Sequence, residues 1–105
     1  MPGPTQDMYV NFFRYLKDKS KTMAIDLMNA ELDYEFEWDK LFELDEEGMG
    51  FNLEAEEIGD NTFSISFDCK VEEGVGDGGI WEVKFDDLGN VLECECVHEF
   101  TQAEK

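Results

Sequence analysis

At 105 residues, with 42% hydrophobic and 13% aromatic side chains, the chain is long enough for one folded domain and too apolar for a disordered acidic tail. Its 27 acidic and 8 basic residues leave a formal charge of −19, which sets it against direct binding of nucleic-acid phosphate and against anionic membranes. No stretch approaches the roughly 20 apolar residues of a membrane span.

The charge is unevenly spread. Up to Lys21 the bases Arg14, Lys17, Lys19 and Lys21 outnumber the acids Asp7 and Asp18, and nearly all the negative charge lies beyond. Residues 1–6 contain Pro2, Gly3 and Pro4 and read as a loose lead-in, without the basic and apolar regions of a signal peptide. Thr5 or Asp7 is placed to cap a helix. Met8, Phe12, Tyr15 and Leu16 follow at i, i+4, i+7 and i+8, an amphipathic stripe. A second helical stretch is expected from about Thr22 to Ala30, with Met23, Leu27 and Ala30 on one face and Ile25 and Met28 beside them. It is either a separate helix capped by Ser20 or Thr22 or the continuation of a single bent one.

From Glu31 to Asp39 the pattern changes. Leu32, Tyr34, Phe36 and Trp38 alternate with Glu31, Asp33, Glu35, Glu37 and Asp39. Period two with aromatics favours a strand. A helix is the alternative, since Ala30, Tyr34, Trp38 and Leu41 also align at helical spacing. On a strand the five carboxylates form a line about 27 Å long, with about half the linear charge density of one DNA strand. Further strands are expected around Phe51–Glu56, Phe63–Val71, Trp81–Asp86 and Leu92–Phe100, joined by turns at Gly59-Asp60-Asn61 and Asp87-Leu88-Gly89-Asn90 and by a glycine-rich loop from Gly74 to Gly79. The whole reads as a single α+β domain over 1–105. Residues 7–30 are helical and 31–100 mainly β, with a helix or helix pair packed on one face of a four- to five-stranded antiparallel meander.

Little in the chain points to catalysis. Cys94, Cys96 and His98 fall on the same face of one strand, but a Cys-x-Cys pair on a straight strand lacks the turn-supplied spacing of structural zinc sites. The three cysteines therefore read as core packing, and neither a metal nor a cofactor is expected. Three cysteines also do not make a secreted disulfide framework, which favours a reducing cytoplasm. The glycine-rich loop lacks the Lys-Ser/Thr of a phosphate loop, and the acidic turns lack calcium-loop spacing.

The reading that remains is an inhibitor rather than an enzyme. Its carboxylates, with Glu31, Asp33, Glu35, Glu37, Asp39, Glu54, Glu56 and Glu57 foremost, would mimic nucleic-acid charge. They would dock on the basic groove of a nucleic-acid-handling protein, as an anti-restriction or anti-CRISPR activity requires. Glu93, Glu95 and Glu99 would widen the surface. An immunity protein or antitoxin that neutralises a basic toxin such as a nuclease rests on the same physics. A small acidic domain with no charge-directed partner is the third alternative.

Overall fold

Thr5 closes the first helix from its N-terminal end: its Oγ1 accepts the Met8 amide at 3.2 Å while its own amide donates to the Met8 sulfur at 3.5 Å. In the computed structural model, which describes residues 3–34, 50–72 and 75–102, α1 spans Gln6–Leu16 and α2 spans Met23–Leu32. The strands are β1 (Gly50–Gly59), β2 (Thr62–Glu72), β3 (Val75–Phe85) and β4 (Val91–Gln102). They pair antiparallel in the order β1-β2-β3-β4. The fold is the expected α+β meander, with two distinct helices preceding four strands.

The core lies between the helices and one face of the sheet. Phe12, Phe13 and Leu16 of α1 and Ala24, Ile25, Met28 and Leu32 of α2 are buried against Phe63, Ile65, Phe67, Trp81, Val83 and Phe85. Aromatic contacts knit the layers: Phe12 meets Trp81 edge-on at 5.6 Å, and Phe13 meets Phe67 at 4.7 Å. Asn29 is a buried polar residue in this layer, and its amide donates to the Phe13 carbonyl at 2.8 Å and the Ile25 carbonyl at 3.1 Å, tying α2 to α1.

Three expectations change. The buried face of α2 is Ala24, Ile25, Met28, Asn29 and Leu32, whereas Leu27 and Ala30 are exposed. That face carries the helix past Ala30, because Leu32 falls one turn beyond Met28 and is buried. Glu31 is therefore helical and Asp33 is the C-cap, so the first two members of the supposed strand ladder are not on a strand. Glu35, Glu37 and Asp39, with Phe36 and Trp38, lie outside the described residues.

The glycine-rich segment is not a loop from Val75 onward but the first half of β3, paired to both neighbours. A Cβ on Gly78 would lie 2.3 Å from the Phe67 carbonyl oxygen, so glycine is what allows β3 to run this close to β2. Finally, β4 is bulged. The register slips between Ile80 and Trp81, opposite Val97, and between Lys84 and Phe85, opposite Leu92.

Each end of α2 is also capped by a remote residue. Thr22, the N-cap of α2, makes no side-chain capping bond. The Asp77 carboxylate of β3 does so instead, accepting the Met23 amide at 2.6 Å and the Ala24 amide at 2.8 Å. At the other end α2 has no base in its last turn. Arg14 of α1 supplies one, donating to the Leu32 carbonyl at 3.4 Å and lying 3.9 Å from the Asp33 carboxylate.

Candidate functional site: the open carboxylate face of the sheet

The helices cover only one face of the sheet. No other described element covers the opposite face, and its composition follows from alternation. Residues between the buried positions of β2 and β3 point away from the core, and so do their cross-strand partners. One row across the sheet reads Glu56, Ser64, Glu82, Glu95; the next reads Glu54, Ser66, Ile80, His98. Asn52 pairs with Asp68 on one side, and Thr62, Lys84 and Glu93 form a row on the other. Glu54, Glu56, Glu82, Glu93 and Glu95 are all exposed. Alternate residues along a strand are about 6.8 Å apart, and β1 and β4 are separated by three strand spacings of about 4.8 Å, so the acids, on three successive rows, span a patch of about 14 by 14 Å.

Glu82 and Glu95 stand directly opposite each other on β3 and β4. Like charges in this position are destabilising. Among the described residues the one ion pair within 4 Å is Arg14 with Asp33, on the helix side. Glu82, Lys84, Glu93 and Glu95 line a shallow depression of about 230 Å³. Farther along the face, Asp68 is partly desolvated. Burial pushes its carboxyl up, the Lys70 ammonium and the Asn52 side chain oppose that, and Glu54 reinforces it.

The expected site residues thus separate into groups. Glu54 and Glu56 belong to the open face. Glu31 and Asp33 are exposed at the end of α2, in the other layer. Glu57 is exposed beside the β1–β2 turn, opposite the buried Phe63, and has the parity of the helix-covered face. Glu93 and Glu95 join the open face as expected, but Glu99 does not. It pairs with Gly79 on the helix side, and its Oε2 accepts the Ser20 hydroxyl at 3.3 Å. Glu82 was not singled out from sequence, although its place between Trp81 and Val83 carried the signal.

The bulge at Val97 also separates the cysteines from the histidine. His98 pairs with Ile80 on the open face, whereas Cys96 pairs with Trp81 and Cys94 with Val83 on the helix side. The expectation that all three share a face does not hold. Nor are all the cysteines core residues: Cys69 is buried, Cys94 half-buried and Cys96 exposed. Burial pushes the Cys69 thiol up to about 11, with Asp77 and Asp68 adding to it. Burial raises Cys94 to about 11, Cys96 adds to this, and Lys19 acts against it. Cys96 is raised chiefly by burial and by Glu99.

Among the described residues no three His, Cys, Asp or Glu side chains are grouped so as to hold a metal ion, and no helix is long and apolar enough to cross a membrane. The chain matches no protein-family model, no curated protein and no solved structure.

Proposed function

We propose that the protein is an acidic inhibitor that presents the open face of its sheet to the basic groove of a nucleic-acid-handling protein in the cytoplasm. The observation that supports this reading is the gathering of Glu54, Glu56, Glu82, Glu93 and Glu95 on one uncovered face, with Glu82 and Glu95 opposed and without an ion pair within 4 Å among the described residues. A sheet that needed only a soluble outer surface would mix signs evenly across its strands, whereas Lys84 opposite Glu93 is the one directly opposed pair of unlike charge among the described residues of this face. Here the arrangement stores repulsion that a cationic partner relieves. The paired strands fix the backbone positions from which the carboxylates project, so binding needs no rearrangement of the main chain. The protein itself performs no reaction in this reading. It occupies the groove in place of nucleic acid, and complementary charge speeds the encounter by about 10- to 1,000-fold at low salt.

The test compares the wild type with a variant carrying Gln at 54, 56, 82, 93 and 95. Both are immobilised and exposed to the same lysate, and nucleic-acid-binding proteins eluted by a salt gradient are purified. We expect the wild type to displace DNA or RNA from such a protein at one-to-one stoichiometry in a mobility-shift assay. We expect the variant to associate at least about tenfold more slowly at low salt. Equal association and equal displacement by the neutralised variant would remove the basis of the proposal.

A further inference from the structure

We propose that Cys94 and Cys96 form a two-sulfur site for a soft monovalent cation of the copper(I) class, in the cleft between α1 and β4. This is independent of the carboxylate face. The cleft, about 110 Å³, is lined by Tyr15, Lys19, Trp81, Cys94, Cys96 and Glu99, among others. The two cysteines sit at i and i+2 on the helix-side face, Cys94 half-buried and Cys96 open to solvent.

Their strand spacing of about 6.4–6.8 Å between Cα atoms is at the upper limit for a disulfide. Both residues line the same cleft.

The number of available ligands selects the ion. Zinc takes four ligands in a structural site. The bulge at Val97 puts His98 on the other face of the sheet, and Cys69 is two strands away on β2, about 9.6 Å across the sheet. Glu99 shares the cleft, but its carboxylate is a hard ligand already accepting from Ser20. Two thiolates remain, and soft thiolates select copper(I), an ion content with two ligands.

Lys19 completes the site. Its ammonium stands 4.3 Å from the centre of the Tyr15 ring, beside the cleft, and its charge favours the Cys94 thiolate. A monovalent ion held by two thiolates carries one net negative charge, which Lys19 offsets.

The chemistry is an exchange. Two S–H bonds break, two sulfur–metal bonds form and two protons go to solvent, with no electron transferred. Below the ordinary thiol range two protons leave per ion bound, so apparent affinity rises there by about 100-fold per pH unit.

The test is an anaerobic titration of the reduced full-length protein with copper(I), supplied as its bicinchoninate complex, from pH 6 to 9. One equivalent is expected to transfer, with two protons released per ion at pH 6 and loss of tryptophan fluorescence from Trp81 at the cleft wall. Zinc supplied in the same way is not expected to be held. Cys96→Ser, at an exposed position that leaves the fold intact by circular dichroism, is expected to abolish transfer, and Cys94→Ser to do the same. Failure of copper to transfer, release of fewer than two protons at pH 6, or retention of the ion by Cys96→Ser would each overturn the site.

Discussion

Two aspartates on this small protein titrate in opposite directions, and their surroundings explain why. Asp86, in the β3–β4 turn, accepts the backbone amides of Asn90 at 2.8 Å and Leu88 at 2.9 Å and the Asn90 side chain at 3.2 Å. These donors, the Asn90 amide first, hold its carboxyl below the usual range. A depressed folded-state value means that ionised Asp86 supports the fold above pH about 4, and that this support fades as pH falls through the lowered value. Asp86→Asn should therefore melt earlier than wild type at pH 7, and the gap should narrow as the pH is lowered to 3. For Asp68 the sign reverses. Burial raises its value, so its contribution is most favourable below pH about 4 and is lost as pH rises through the raised value. Asp68→Asn should leave the melting temperature unchanged near pH 3 and raise it slightly at pH 7, by an amount within about 0.5 kcal/mol. Thermal melts at the two pH values check both.

At the scale of the element, β3 depends on residues that lack side chains. Gly78→Ala would press a methyl group against the Phe67 carbonyl and the Asp68 backbone. It should destabilise the protein by about 1–3 kcal/mol in urea unfolding. Strand β2 and the second half of β3 were legible in the sequence because large apolar residues alternate without interruption from Phe63 to Cys69 and from Trp81 to Phe85. The first half of β3 was not, since Gly76, Gly78 and Gly79 read as a loop by composition and become strand only through pairing on both sides. The end of α2 was obscured because Leu32 fits both a helical face and an alternating one, and burial beneath α1 and the sheet decides between them. The bulges at Leu92 and Val97 left no sequence signal. Period-two counting therefore assigned His98 to the wrong face and Glu99 to the wrong surface. Of the candidate carboxylates, Glu54, Glu56, Glu93 and Glu95 could be read from parity alone, whereas the exclusion of Glu31 and Asp33 needed the helix boundary.

For the molecule as a whole, the charge of −19 on 105 residues makes ionic strength a stabilising variable. Raising sodium chloride from 10 mM to 1 M shortens the screening length from about 30 Å to about 3 Å. The melting temperature should rise across that range, and a flat response would show that self-repulsion contributes little. Glu82→Gln should reproduce part of the effect at low salt, because it removes the opposition to Glu95 and gains about 0.2–1 kcal/mol. The same variant should weaken partner binding, so stability and docking should move in opposite directions along the open face.

The long reach of Asp77 has a consequence for how the domain assembles. The amides it receives lie 54 and 53 residues earlier in the chain, so the first turn of α2 gains its anion only once β3 is in place beneath it. Hydrogen exchange at Met23 and Ala24 should therefore follow the opening of the central strands rather than the fraying of a helix end, and a peptide cut after residue 34 should leave both amides to water.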